Sequence, residues 1–333
     1  MRSAMARHMR LIAAGAITTL TVAACSASGT GGSALSIPPS RSVAPSVAPS
    51  SQPSLRPPLE AVIETGPGPT TLAATSGSIW VELHRADLVA RIDPATNEQV
   101  ELTDVPVHCG LAASGETVWA TIAKANKVTR FDAITGKAVE SWDLAAACGV
   151  AADGDTAWVT SPADGAVYLL QEGVAEPIQR IDVAPDIFDI VLDETTAWVS
   201  SESDGGTVWR IDRATYEATL VGKFPGVDAV EVAFGSVWLT SRPQRHLWKL
   251  DPADGTVLGQ LDLREPSGVV AIGDALWITL YQTGLVQLDP ATLETRSEQQ
   301  LPYGYLGPPV YAFGSLWASA LEADKVLRIR VEE

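Results

Sequence analysis

A short phrase recurs seven times along this chain: Gly or Asp, an aliphatic or β-branched residue, Trp and a small hydroxylated residue. Gly235-Ser236-Val237-Trp238-Leu239-Thr240 shows it most plainly. The landmarks are Trp80, Trp119, Trp158, Trp198, Trp238, Trp277 and Trp317, separated by 39, 39, 40, 40, 39 and 40 residues. A fixed period near 40 marks a repeat architecture, in which each unit cannot bury its apolar faces alone and must stack on its neighbours.

Within each copy, alternating or apolar runs are divided by Gly, Asp and Asn, as expected of short strands joined by turns. The second copy is the clearest. It reads as strands over Cys109 to Ala113, Thr117 to Ile122, Lys127 to Asp132 and Lys137 to Leu144. Four strands per repeat make a propeller blade. The fold class is therefore all-β, a seven-bladed β-propeller of four-stranded antiparallel blades.

Each blade is stacked between two others, so a large ring near its centre fills the gap and its N–H is expected to find a backbone carbonyl. The seven Trp are read as structural. So are Asp93, Asp132, Asp212, Asp251 and Asp289, three of which precede Pro, as suits a turn capped by a carboxylate with φ fixed by the ring.

The last copy, from about Pro309 through Trp317 to Val331, has room for three strands only. Leu59 to Thr65 alternates like the missing one. The two termini are thus expected to complete one blade together, pairing Leu59 to Thr65 with Lys325 to Val331 and leaving no open edge.

Ahead of the propeller, residues 1–24 carry Arg2, Arg7 and Arg10 and an apolar run from Leu11 to Ala24, too short to span a membrane and shaped like an export signal. It ends in Val22-Ala23-Ala24-Cys25, which resembles the lipobox of bacterial lipoproteins; the resemblance implies cleavage and lipidation at Cys25. Residues 25–57 form a Ser-, Pro- and Ala-rich tether that would span on the order of 30 Å as a coil. Residues 58–333 are the propeller. The expected location is the bacterial cell envelope, on the outer side of the cytoplasmic membrane, with the lipid as the membrane partner.

The formal net charge of −17 becomes −20 when the three arginines of the export signal are removed. Such a surface repels phosphate backbones, which excludes nucleic acid as a partner class. Cys109 and Cys148 occupy equivalent positions, each ten residues before its Trp at the start of an inner strand. A disulfide between adjacent blades is the favoured reading in an oxidising compartment; two buried thiols, or a metal site with His108, stay open beside it.

In a propeller the loops before the inner strands and those after the Trp strands share one face at the channel mouth. The first set supplies His108, Asp186, Phe188, Asp189, Asp228, Ser267, Tyr303 and Tyr305. The second supplies His84, Arg85, Lys124, Asn126, Asp164, Arg242, Arg245, His246, Tyr281 and Glu322. Candidate ligand-binding residues are His84, His108, Asp189, Asp228, Glu231, Arg242, Arg245, His246, Tyr281, Tyr303 and Tyr305. Arg242, Arg245 and His246 form a basic group suited to a small anion or acidic group. Glu231 stands out inside an inner strand where other copies carry Ala or Val.

Arg91-Ile92-Asp93-Pro94-Ala95-Thr96, Lys249-Leu250-Asp251-Pro252-Ala253 and Gly235-Ser236-Val237-Trp238 resemble the seven-bladed YVTN and streptogramin-lyase-like (virginiamycin B lyase-like) superfamily over residues 58–333. For activity, that resemblance implies opening of a cyclic depsipeptide lactone by elimination, using a His base and glutamates that hold Mg. His108 stands where the base would be. The acids are not reproduced, since Pro106 lies two residues upstream of His108 and Ile122 three after Trp119. No metal and no required cofactor are assigned. The leading expectation is a non-enzymatic binding or protein-interaction module acting on an unidentified protein or small-molecule ligand. The alternative is a metal-assisted lyase or lactone hydrolase using His108 or His246 with Glu231, Asp189 or Asp228.

Overall fold

The structure, a computed structural model, describes residues 59–103, 109–201 and 205–331. The expected export signal and tether, with Cys25, and Pro106 and His108 lie outside the described residues.

Seven four-stranded antiparallel sheets follow one another, each starting from an innermost strand: Pro69–Ala74, Cys109–Ser114, Val150–Asp153, Ile187–Leu192, Ala229–Ala233, Pro266–Ile272 and Val310–Ala312. Each inner strand packs on the next, and Val310–Ala312 packs back on Pro69–Ala74, closing the ring. We number the blades one to seven in that order. In the second blade the strands run Cys109–Ser114, Thr117–Ile122, Lys127–Asp132 and Ala138–Asp143, within a residue of the boundaries expected from sequence.

Blade seven takes its outer strand from the start of the propeller. Leu59–Glu64 pairs with Lys325–Arg330, setting Ile63 opposite Val326 and Val62 opposite Leu327. The splice is reinforced by polar contacts: Glu60 accepts from the Ser315 hydroxyl at 2.7 Å and from Arg330 at 2.8 Å. Past the strand, Gly68 N–H donates to the Asp324 carboxylate at 2.8 Å.

The seven repeated Trp are all buried and belong to the clusters between blades. Their N–H groups are less uniform than expected. Trp238 and Trp317 donate to the carbonyls of Ala233 and Ala312, but Trp198 donates to the Asp193 carboxylate. For Trp80, Trp119 and Trp277 no partner is present among the described residues, which corrects the expectation of a carbonyl for each ring.

Opposite five of these Trp, on the neighbouring strand, stands a cation: Arg91, Arg130, Arg210, Lys249 and Arg328. Three of these heads lie over the ring they face, Arg328 at 4.9 Å, Lys249 at 5.2 Å and Arg91 at 5.9 Å from its centroid. Each cation then reaches the outer hairpin of the following blade. Arg91 donates to the carbonyls of Ala133 and Ile134, Arg210 to those of Pro252 and Ala253, Lys249 to that of Pro290 and Arg328 to that of Pro94. Arg130 meets Glu172 at 2.9 Å. The Asp of each hairpin is a turn residue as read from sequence: Asp93, Asp132, Asp212, Asp251 and Asp289 each accept N–H bonds from two or three residues ahead.

A second set of seams runs near the channel. Two residues after the Trp, a buried hydroxyl crosses to the next inner strand in some blades, as Thr160 does to the Phe188 carbonyl at 2.8 Å and Ser319 to that of Thr70 at 2.6 Å, whereas Ser200 and Thr240 have no hydrogen-bond partner among the described residues. Cys109 and Cys148 are joined by a disulfide with their Cα atoms 4.8 Å apart, stapling the inner ends of blades two and three. The glycine after each cysteine is required by close approach, because a Cβ at Gly110 would run into the Cys148 carbonyl and one at Gly149 into that of Phe188.

Candidate functional site

The rim loops bring Arg242, Pro243 and Arg245 of blade five against Arg264, Glu265, Tyr281 and Gln282 of blade six, around a cavity of about 700 Å³. Arg242 anchors it. Its backbone N–H donates to the Asp228 carboxylate at 2.6 Å, its guanidinium meets the same group at 3.2 Å, and its Cζ lies 4.3 Å from the centre of the Tyr281 ring. Tyr305 packs on Tyr281, edge to face at 4.7 Å. The Asp228 carboxyl titrates above its ordinary range because burial outweighs its bonds to Arg242.

Arg264 pairs with Glu298 at 3.0 Å. Arg245 has no acidic partner among the described residues, and its φ of 61° places it in the left-handed region at the loop tip. One wall is therefore a stacked Arg and Tyr, and of the three guanidiniums that line the cavity two are paired, Arg242 with Asp228 and Arg264 with Glu298, which leaves Arg245 without an acidic partner among the described residues. A chemistry of this kind holds a planar or acidic group by charge-assisted bonds and ring contact.

Of the candidates read from sequence, Arg242, Arg245 and Tyr281 line this cavity, with Asp228 and Tyr305 supporting it. His246 points elsewhere, to Asp262 on the outermost strand at 2.9 Å, with its ring edge-on to Trp248. Tyr303 packs on the apolar cluster around Leu306 and Leu316. His84 lies on the first blade with its Nδ1 3.6 Å from Glu82.

Asp189 and Glu231 are on neighbouring inner strands. Asp189 accepts from its neighbour Ile190 and from Val230 N–H, and Glu231 from Ala271 N–H, so each carboxylate clasps the next blade. Burial pushes Asp189 up to about 6 and Glu231 up to about 7, with those N–H donors pulling the other way. Both residues are half-buried.

Two elements escaped the reading of the sequence. Arg264 sits in a loop before an inner strand, where Ser267 had drawn attention instead. Glu82 is 2 % exposed and accepts the Cys109 N–H at 3.2 Å. It is the one carboxylate in a column otherwise filled by Thr121, Thr160, Ser200, Thr240, Thr279 and Ser319, and that break in the repeat was its signal.

No protein-family model and no curated protein matches the sequence. Solved structures do. Virginiamycin B lyase from Staphylococcus aureus superposes with a TM-score of 0.66 at 17% identity, covering 80% of this chain and 95% of that one. Hydrazine synthase of Kuenenia stuttgartiensis gives 0.70 at 14% identity, over 80% and 96%. The computationally designed Ika8 protein gives 0.61 at 13%, over 79% and 83%. At these identities the likeness is one of architecture, and the fold of this chain is a seven-bladed β-propeller similar to the virginiamycin B lyase structures.

Proposed function

We propose that the chain is a binding module that takes an acidic ligand, free or borne by a partner protein, in the cavity between Arg242 and Tyr281. The observation that carries this reading is the clustering of three guanidiniums on an aromatic wall in a protein of net charge −17. Its volume, about 700 Å³, lies in the range of small-molecule sites.

The export signal, the lipidation motif at Cys25 and the tether support display of this ring on the outer side of the bacterial cytoplasmic membrane. Lyase chemistry of the kind named for the similar structures has less support from the residues present. Among the described residues no three of His, Cys, Asp and Glu group together as metal ligands. His246 is turned away from the rim cavity, toward Asp262.

The test is recovery of the native ligand. Protein isolated from membranes of its own host is denatured, and the released small molecules and co-purifying proteins are identified by mass spectrometry. An acid or acidic protein retained by the wild type and lost from Arg245→Ala supports the reading. Identical recovery from both sinks it.

A further inference from the structure

The seam between blades three and four departs from the others. Where five blades set an arginine or lysine opposite the Trp, blade three sets Leu169 opposite Trp158. Blade six also departs, with Gln287, but there the amide oxygen is held by the Ser297 hydroxyl at 3.1 Å. Leu169 is buried, apolar and too short to reach the next hairpin. The space left over is a cavity of about 510 Å³ on the face opposite the channel mouth, floored by Trp158 and Leu169 and walled by Ile178 and Tyr216.

The other seams show what chemistry such a space accepts. In the five seams with a cation the head ends on the next blade's outer hairpin, at the first and second carbonyls after the turn Asp in two of them. In blade four the corresponding carbonyls are those of Arg213 and Ala214, and among the described residues no side chain donates to them. Asp212 and Glu194 add two carboxylates to the lip. Arg213 itself leans back over Trp158 at 5.9 Å and is matched by the Asp153 carboxylate and the Asp193 carbonyl, so its charge is compensated.

We propose that this cavity is a docking site for an arginine side chain on a partner protein, whose stem runs over Leu169 and Trp158 and whose guanidinium meets Asp212, Glu194 and the open carbonyls. It is independent of the acidic-ligand site, which lies on the other face. The partner's surface is basic, complementing a chain of net charge −17.

The test uses the full chain and an immobilised peptide carrying one arginine between glycines, with a citrulline peptide as its uncharged isostere, at physiological salt. Leu169→Arg supplies the missing latch from within, and Thr295→Arg adds the same charge at an exposed position of blade six. The arginine peptide is expected to bind wild type and Thr295→Arg alike, and Leu169→Arg at least tenfold more weakly. The citrulline peptide is expected to bind none of them. Glu194→Gln, an exposed change with no effect on folding, is expected to weaken the arginine peptide several-fold, which keeps the question decidable should Leu169→Arg fail to fold. Equal binding of the two peptides, no binding by wild type, or full binding by both Leu169→Arg and Glu194→Gln would overturn the proposal.

Discussion

Arg242 lies on Tyr281 with its guanidinium carbon 4.3 Å from the ring centre, and Asp228, on the same blade, holds that guanidinium at 3.2 Å. The carboxylate and the ring together restrain the arginine beside the cavity that it lines. Arg242→Lys keeps the charge but loses the planar fork and the stack. It is expected to weaken an acidic ligand about tenfold, with the thermal midpoint little changed; unchanged affinity in a calorimetric titration would show that the stack does not orient the donor.

Ring closure rests on one spliced strand. Ile63 is 3 % exposed and opposite Val326, so Ile63→Ala is expected to cost about 2–4 kcal/mol in denaturant unfolding. Removal of Leu59–Glu64 should abolish a cooperative transition altogether, since it strips a whole strand from blade seven and exposes the edge Lys325–Arg330. A normal unfolding curve for the shortened chain would contradict the closure.

The disulfide spans 39 residues between Cys109 and Cys148. Restriction of the unfolded chain by a loop of that length is worth about 4 kcal/mol in the chain-entropy model. For a domain of this size, the double Ser variant is expected to melt roughly 8–16 °C lower. A shift below a few degrees, measured by scanning calorimetry, would place the stability of that seam in the Thr121 and Gly110 contacts instead.

Two carboxyls of the inner strands give stability a pH dependence with a definite sign. Asp189 is raised to about 6 and Glu231 to about 7 by burial, so the folded state binds protons more tightly than the unfolded one. Their contribution is fully present below the unfolded carboxyl value and is lost as pH rises through the folded values. Stability should therefore fall between about pH 4 and 7, by on the order of 1–3 kcal/mol, and Glu231→Gln should flatten the slope. Glu60 and Asp193, held low chiefly by the Ser315 hydroxyl and the Trp198 N–H respectively, act oppositely, losing their contribution in more acid solution. A midpoint that climbs steadily from pH 4.5 to 7 in wild type would contradict the assignment.

The Trp period made the blade count and the terminal splice legible, because both follow from one residue per sheet and from arithmetic on the strands. The disulfide was legible as an equivalence of Cys109 and Cys148, though spacing alone left thiols and a metal beside it. The rim was legible only as a set of loops. That Arg242, Arg245 and Tyr281 meet Arg264 while His246 turns to Asp262 depends on which way residues at a loop end face, and a shift of one position along a strand reverses that. The tryptophan N–H groups were misjudged for a related reason: a partner carbonyl depends on the turn preceding each strand, and those turns differ among blades.

The most direct test of the proposed binding site is a calorimetric titration of the purified protein with benzoate and, in parallel, with the neutral isostere benzamide, for wild type and for Arg242→Ala combined with Arg245→Ala. The expected result is saturable binding of benzoate alone by wild type, weakened by salt and at least tenfold weaker or lost in the double variant, with the melting curve kept. Benzoate and benzamide binding equally, or a double variant that binds benzoate as wild type does, would contradict an acidic-ligand site between Arg242 and Tyr281.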